Sequence, residues 1–178
     1  ASELPSDSLH YTIYSPPFAS LYTYSNSDRD MGNCKDDATF MEQYRFLVRE
    51  MYRATMPGRL VSFHCMNLPT SKQNHGYIGI RDFRGELIRL HEEEGWIFHS
   101  EVCIWKDPVT AMQRTKALGL LYKQLCADST VSRQGCAEYL LVFRKFPTND
   151  AEESMVVPVT HTREDFPLEQ WQQWASPV

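Results

Sequence analysis

The segment from Asp36 to Cys65 constrains the fold most strongly, because a helical pattern is followed there almost directly by a strand pattern. An aspartate at 36 or 37 can cap a helix, and apolar residues then recur at helical spacing as far as Thr55. Pro57-Gly58 is predicted to end this helix, and the short apolar and aromatic run that follows is typical of a strand. A helix that leads straight back to a strand indicates the crossover of a parallel sheet.

The rest of the chain continues this alternation of strands and helices. Periodicity and end signals predict strands over 9–14, 96–105 and 137–144, and helices over 84–94, from Thr110 to about Cys126, and over 167–174. Loops are predicted over 19–36 and 66–82, and a linker over 146–162. This order predicts an α/β fold that amounts to about half of a doubly wound, Rossmann-like sheet, with a helical insert at about 109–135.

Length, cysteine content and charge restrict the class of protein. A chain of 178 residues with 42% hydrophobic residues can form one globular domain. The five cysteines are scattered without a C-x-x-C pair, which favours reduced thiols and a cytoplasmic setting, and Cys65 and Cys103 are predicted as core residues. No apolar run is long enough to span a bilayer, so no membrane partner is expected. The formal net charge of −5 disfavours a nucleic-acid partner unless basic residues gather locally.

The turn Ser15-Pro16-Pro17-Phe18 directly follows the predicted strand over 9–14. Each proline fixes its own φ at about −65°, and the residue before a proline is driven to extended geometry, so Ser15 and Pro16 are both stiffened. The turn therefore offers two rigid acceptors, the Ser15 hydroxyl and the Pro16 carbonyl, beside the flat face of Phe18. Open α/β sheets bind ligands outside the carboxyl ends of their strands, which favours a site here, although most such tetrapeptides are ordinary turns.

Together with three later segments, this turn resembles the catalytic motif of DNA amino-methyltransferases, which modify exocyclic amino groups of bases. The later segments resemble that family's "R-x-L-x-P-G-G", "G-F…I-x-W-x-K" and "H-E-x-I-L-x-F-x-K" strands, and they are, in order, Tyr44 to Cys65, Gly95 to Pro108 and Glu138 to Lys145. The resemblance spans residues 9–146. Its character is phage-like, and restriction-modification is the expected setting.

The resemblance implies that the target base is taken out of the duplex and methylated directly by S-adenosylmethionine, without a covalent enzyme intermediate. Ser15 and the Pro16 carbonyl would hold the amino group so that its lone pair points at the methyl donor, Pro17 would stiffen the turn, and Phe18 would stack on the base. In this family, serine at the first motif position accompanies N4-cytosine methylation more often than N6-adenine methylation. Phe18 stands where tyrosine is usual, so the stacking face is kept and a hydroxyl is lost.

The family's glycine-rich cofactor loop, F-x-G-x-G, is absent from this sequence, and Gly76 to Gly79 lacks its spacing. In one permuted class the catalytic motif comes first and the cofactor loop last, so this loop is expected beyond Val178 or on a second chain. The expected organisation is a catalytic half over 1–146, and then, over 147–178, a linker and short helix that lead to the missing segment. The chain by itself is therefore expected to be inactive.

Several other residues are candidates for contacts with the cofactor or with DNA. Ser15, His64 and Asn67 follow or end predicted strands, where they could approach the cofactor. Candidate DNA contacts are Tyr22, Arg114, Lys116 and Arg133. Single basic residues are usually solvated, and the loop over 19–36 fits either a lid or a simple connector. No set of His and Cys residues has the spacing of a metal site.

Two alternatives to a DNA methyltransferase stay open from the sequence. The chain could be a DNA-binding or assembly module that keeps the fold without a cofactor half. It could also be a methyltransferase that acts on RNA or on a small molecule through a similar turn. A downstream F-x-G-x-G sequence would argue against the first alternative, and an assay on DNA, RNA and nucleosides would test the second.

Overall fold

A mixed four-stranded sheet, covered on one face by two helices, organises the part of the chain that the structure describes. The computed structural model describes residues 3–19, 25–27, 30–114, 118–126, 137–146 and 162–175. The strands are β1 (Leu9–Tyr14), β2 (Thr55–Met66), β3 (Leu68–Thr70), β4 (Gly79–Arg81), β5 (Trp96–Trp105) and β6 (Ala137–Lys145). The helices are α1 (Asp37–Ala54), α2 (Lys72–His75), α3 (Phe83–Glu93), α4 (Pro108–Arg114) and α5 (Leu168–Ala175).

The main sheet has the strand order β1-β2-β6-β5. β1 runs parallel to β2, with Tyr14 opposite Phe63, and β6 runs antiparallel to both β2 and β5. The carboxyl ends of β1, β2 and β5 therefore meet the amino end of β6 at one edge of the sheet, called here the carboxyl edge. The parallel pair joined through α1 confirms the predicted crossover.

The core lies between the sheet and helices α1 and α3, and aromatic rings fill its centre. The rings of Phe63 on β2 and Phe143 on β6 stack with their centroids 5.6 Å apart. The His91 ring of α3 lies against both, with its centroid 4.7 Å from that of Phe63 and 4.5 Å from that of Phe143. Tyr44 and Val48 of α1 are fully buried beside them. Removal of this apolar surface from water is the main term that holds the two helices on the sheet.

Helix α1 begins as predicted but ends earlier than predicted. The Asp36 carboxylate accepts a hydrogen bond from the Thr39 backbone N–H at 2.8 Å, which caps the first turn. β2 follows α1 without a gap, so Pro57-Gly58 lies inside the strand, and the prediction that it ends the helix is wrong. The register with β1 is irregular there, because proline cannot donate to a strand ladder and Gly58 adopts a φ of 74°.

The predicted loop over 66–82 contains a small hairpin, so the prediction of an irregular loop is wrong. β3 and β4 pair antiparallel as a separate sheet, with α2 between them. The Ser71 hydroxyl caps α2 by accepting from the Asn74 N–H at 3.2 Å, and Gly76 closes it in the left-handed conformation with a φ of 79°. Such short elements show no measurable hydrophobic period, which is why the sequence pattern does not reveal them.

The predicted helix from Thr110 to Cys126 is correct only in its first part. α4 ends at Arg114. Its first turn is capped by Asp107, whose carboxylate accepts from the Thr110 N–H at 2.8 Å, so Thr110 is not the cap. The capping aspartate lies three residues before Thr110 because α4 already starts at Pro108, shortly after the end of β5.

The chain turns back on α4 instead of continuing the helix. The Leu120 N–H donates to the Pro108 carbonyl at 3.0 Å, and a short 3-10 turn over Tyr122–Leu125 follows among the described residues. Gly119 packs directly against the Met112 backbone, where any side chain would clash. The reversal therefore depends on glycine, and a helical period alone does not predict it.

The cysteines in the described residues are free thiols at 34, 65, 103 and 126. Cys65 is fully buried, as predicted. Cys103 is exposed, so its predicted core position is wrong. The reason is that β5 is the outer strand of the sheet and its residues after Phe98 are all exposed.

Candidate active site at the carboxyl edge

The turn Ser15-Pro16-Pro17-Phe18 leaves β1 at the carboxyl edge of the sheet. Pro16 is buried, Pro17 and Phe18 are half-buried, and Ser15 is exposed. Ala19, the next residue, is 1% exposed and has a φ of 48°, so the backbone bends sharply and enters the core. The turn is thus held by buried residues within it and after it, while its serine hydroxyl stays accessible.

His64, near the end of β2, contacts this turn in two ways. The Ser15 hydroxyl donates a hydrogen bond to the His64 carbonyl at 3.5 Å. The Phe18 and His64 rings meet edge to face, with centroids 5.9 Å apart and planes inclined at 69°. Of the residues predicted for the site, Ser15, Phe18 and His64 therefore lie together, and their catalytic and cofactor roles stay predictions.

Glu138, at the start of β6, links His64 to Lys106. One carboxylate oxygen lies 2.7 Å from His64 Nε2, and the other forms an ion pair with the Lys106 ammonium group. Burial favours the neutral acid, but the hydrogen bonds from Lys106 and His64 outweigh it and lower the pKa of Glu138 below its ordinary value of 4.5. The carboxylate is therefore ionised at neutral pH, and His64 must present a proton on Nε2 to it.

The sequence does not identify Glu138 and Lys106 as site residues. Both belong to segments that carry the family resemblance, but their spacing does not indicate a contact. Their meeting depends on strand order, because β6 lies between β2 and β5 and brings its first residues to the carboxyl edge. The available signal is only that each residue begins or follows a predicted strand.

Tyr14 anchors the end of β1 in the core, directly before the turn. Its hydroxyl lies 2.5 Å from the Tyr44 hydroxyl of α1, and its ring centroid lies 5.4 Å from that of Phe63. Burial raises the pKa of both tyrosines above the ordinary value of 10.0, so both phenols stay neutral and share a hydrogen bond. This pair fixes the backbone from which Ser15 departs.

Asn67, the other predicted cofactor residue, has a partner in α3. Its side-chain oxygen accepts a hydrogen bond from the Arg84 backbone N–H at 3.0 Å. The Arg84 guanidinium lies over the Tyr139 ring, 4.8 Å from its centroid, and pairs with Glu101. The described bond therefore orients the Asn67 amide towards the start of α3, and its role at a cofactor stays a prediction.

Most of the predicted DNA contacts fall where the structure gives no description. Tyr22, Lys116 and Arg133 lie outside the described residues. Arg114 is the last residue of α4, which follows β5 at the carboxyl edge. The structure adds an exposed aromatic residue that sequence reasoning did not single out, since Trp105 at the end of β5 is 72% exposed.

The sheet face opposite α1 and α3 exposes apolar side chains, because alternate residues of each strand point away from the core. The exposed residues on this face are Tyr11, Ile13, Val102 and Ile104. Helix α5 also exposes its apolar residues, which are Leu168, Trp171 and Trp174. Extended apolar surfaces of this kind are typical of regions that pack against another segment.

The ranges that the structure describes contain neither a metal-binding cluster nor a membrane-spanning helix. No group of three or more His, Cys, Asp or Glu residues within them is arranged to hold a metal ion. None of their helices is both long enough and apolar enough to cross a membrane.

Comparison with known proteins gives similarity of fold without similarity of sequence. No protein-family model matches the sequence, and no curated protein matches it significantly. A Thermus thermophilus protein assigned as a DNA modification methylase, solved in complex with S-adenosyl-L-methionine, superposes with a TM-score of 0.61 at 16% identity, over 98% of this chain and 59% of that chain. The cytosine-N4-specific PvuII DNA methyltransferase superposes with a TM-score of 0.53 at 12% identity, over 82% of this chain and 46% of that chain.

These similarities confirm the predicted fold class. The chain has the Rossmann-like α/β fold of the two methyltransferase structures. It spans less than two thirds of the length of either protein. At such low identity the shared fold assigns no role to any residue, so the activity must be argued from this chain's own turn and its surroundings.

Proposed function

We propose that this chain is the catalytic half of an S-adenosylmethionine-dependent methyltransferase that modifies the exocyclic amino group of a flipped DNA base. The observation that carries the proposal is the Ser15 turn: two prolines stiffen it, buried residues hold it, and its hydroxyl is exposed at the carboxyl edge beside Phe18. Ligands of open α/β sheets bind at this edge. Cytosine N4 is the preferred target, since serine occupies the first position of the motif and the fold is shared with a cytosine-N4-specific enzyme.

The chemistry assigned to the turn follows from the weak nucleophilicity of an exocyclic amine, whose lone pair is delocalised into the base. The Ser15 hydroxyl and the Pro16 carbonyl are the proposed acceptors for the two N–H groups, which would fix the nitrogen so that its lone pair points out of the ring plane. Because proline has no backbone N–H and a fixed φ, this acceptor pair needs little reorganisation when the amine arrives. Phe18, held edge to face by His64, is the proposed stacking surface for the flipped base.

S-adenosylmethionine is the proposed cofactor, and it supplies the methyl group. The described residues do not form a complete site for this cofactor. The His64 imidazole is hydrogen-bonded to Glu138, and the Asn67 side-chain oxygen accepts a hydrogen bond from the Arg84 backbone in α3. The sequence also contains no F-x-G-x-G loop. We therefore assign to this chain the amine-holding and base-stacking residues, and we assign the main cofactor contacts to a segment beyond 178 or to a second chain.

The exposed apolar surfaces support this division of the domain. One face of the sheet and the apolar side of α5 are exposed, and the chain spans only part of the proteins that share its fold. We propose that the cofactor-binding segment covers the open face, with residues 1–146 as the catalytic half and 147–178 as the connection. The proposed DNA contacts are the helical insert at about 109–135 and the residues Tyr22, Arg114, Lys116 and Arg133. A cytoplasmic enzyme of a phage or a restriction-modification system is the proposed setting.

A substrate comparison tests the activity. The product of the full coding sequence would be incubated with labelled S-adenosylmethionine and with equal amounts of unmethylated DNA, RNA or free nucleosides. We expect label in DNA, at the amino group of cytosine. Label only in RNA or nucleosides would contradict a DNA substrate and favour the RNA or small-molecule alternative.

The absence of a glycine-rich loop from this sequence favours a second candidate, a DNA-binding or assembly module without catalysis. The coding sequence after Val178 separates the two candidates. A predicted strand followed by F-x-G-x-G is expected for the enzyme. A stop codon directly after Val178, with no methyl transfer after addition of neighbouring gene products, would favour the module.

A further inference from the structure

Three side chains at the carboxyl edge of the sheet contact one another, and one of them, His64, also contacts the proposed catalytic turn. They are His64 of β2, Lys106 directly after β5 and Glu138 of β6, and we call them the positioning cluster. Glu138 is the centre of the positioning cluster, with only 15% of its side chain exposed, while His64 is 31% exposed and Lys106 is 29% exposed. A carboxylate held from both sides by donors, in a partly buried place, has a well-defined orientation.

The positioning cluster controls the His64 ring in two respects. An ionised carboxylate only accepts hydrogen bonds, so the 2.7 Å contact with Glu138 places a proton on His64 Nε2 and fixes the tautomer. The same contact fixes the rotation of the ring. Because Lys106 occupies the second carboxylate oxygen, Glu138 cannot swing away from His64 without losing an ion pair.

The His64 ring in turn contacts Phe18 from β2 of the sheet. The two rings meet edge to face at 5.9 Å, and the His64 carbonyl receives the Ser15 hydroxyl. A change in the orientation of the His64 ring would therefore reach Phe18, the proposed stacking surface for the base. Proximity and orientation are the main sources of catalysis in a direct transfer, so a small displacement has a large effect.

We propose that Glu138 is a positioning residue, which acts through the His64 ring to hold Phe18 in the geometry needed to receive the base. Glu138 does not contact the reacting atoms. The part of the proposal that concerns catalysis rests on the proposed function, whereas the part that concerns the His64 ring and Phe18 does not. The two parts can therefore be tested separately.

The structural part is tested by NMR on the full chain with labelled histidine and phenylalanine. In Glu138→Gln, the single amide oxygen cannot accept hydrogen bonds from both Lys106 and His64. The nitrogen signals of the His64 ring should therefore no longer show a fixed Nε2–H tautomer. In Glu138→Ala, the cross-peaks between the His64 and Phe18 rings should disappear. The matched control is Glu101→Gln, which breaks the ion pair with Arg84 elsewhere on β5 and should preserve both signals.

The amide spectrum and the melting temperature of each variant establish that it folds, and Lys106→Met provides a second route to the same test. This variant leaves Glu138 charged but removes one restraint, so the ring cross-peaks should weaken without loss of the Nε2–H signature. Unchanged tautomer signals in Glu138→Gln, together with unchanged ring cross-peaks in Glu138→Ala, would overturn the proposal.

The catalytic part is tested in the complete enzyme with labelled S-adenosylmethionine and unmethylated DNA. Glu138→Ala should lower kcat about tenfold or more, with the KM for the methyl donor unchanged, because orientation of the base is lost and not cofactor binding. Glu101→Gln should stay within about twofold of wild type. A wild-type kcat in Glu138→Ala would refute the positioning role. If the wild-type enzyme transfers no methyl group to DNA, the proposed function fails, and the ring cross-peaks alone decide whether Glu138 holds the His64 ring.

Discussion

The buried His91 provides a prediction whose size follows from the structure. Its Nδ1–H donates to the Leu87 carbonyl at 2.7 Å, and its ring packs against both Phe63 and Phe143, whose rings stack on each other. Its Nε2 atom is buried without a hydrogen-bond partner among the described residues. The tested change is His91→Phe, which keeps a flat ring against the two phenylalanines and removes both the titrating group and the unpaired nitrogen.

Burial lowers the pKa of His91 from 6.5 to about 4, against the opposing effect of its hydrogen bond to Leu87. Between these two values the unfolded chain binds a proton that the folded chain does not bind. The stability contributed by neutral His91 is therefore complete above pH 6.5 and is lost as the pH falls towards 4. At about 1.4 kcal/mol per pH unit, the loss in the free energy of unfolding is about 3 kcal/mol.

Urea unfolding at pH 7, 6, 5 and 4, followed by tryptophan fluorescence, measures this loss. Relative to His91→Phe, the wild-type chain should lose about 3 kcal/mol between pH 7 and pH 4. The stabilisation from carboxylates with lowered pKa, such as Glu94 and Glu138, is also lost as the pH falls, but equally in both proteins. The difference in the free energy of unfolding between the two proteins therefore isolates the His91 imidazole. His10→Ala is the matched control, because this exposed side chain of β1 is outside the core. The same pH dependence in wild type and His91→Phe would refute the argument.

Two further predictions concern the turn and its anchor. Phe18→Ala should weaken the binding of a DNA duplex with a mispaired, easily flipped cytosine by about 1–3 kcal/mol. Fluorescence anisotropy with the complete enzyme measures this affinity. Equal affinity in the variant and the wild type would mean that Phe18 does not take part in base capture. Tyr14→Phe should cost about 1–3 kcal/mol in urea unfolding because it leaves the buried Tyr44 hydroxyl unpaired, whereas Tyr14→Phe with Tyr44→Phe should cost less than the sum of the single changes. Additive losses would mean that the two hydroxyls do not interact.

The fold could be predicted from the sequence where one element shows a strong local signal. The Asp36 cap and the apolar face of α1 locate the start of that helix, and the β1 and β6 segments are apolar enough to be recognised as strands. The prediction is wrong where tertiary contacts decide. Pro57-Gly58 does not break a helix but occupies an irregularity in β2, and Gly119 allows the chain to reverse against α4.

The site could be predicted in part. The predicted parallel crossover brings the end of β1, and with it the Ser15 turn, next to His64 near the end of β2, and the roles of these residues stay predictions. Lys106 and Glu138 could not be placed there, since a sequence pattern does not reveal that β6 inserts antiparallel between β2 and β5. A contact between residues that are far apart in sequence depends on strand order, and hydrophobic periods carry no information about strand order.

The proposed function depends most on the Ser15 turn, which is proposed to hold the amino group of a DNA base during methyl transfer. The most direct measurement is mass spectrometry of the nucleosides of a bacterial host without DNA methylation of its own, after expression of the full coding sequence with either Ser15 or the Ser15→Ala change. We expect N4-methyldeoxycytidine in the first host and its loss in the second, at equal amounts of folded protein. Equal amounts of the methylated nucleoside in both hosts would contradict it.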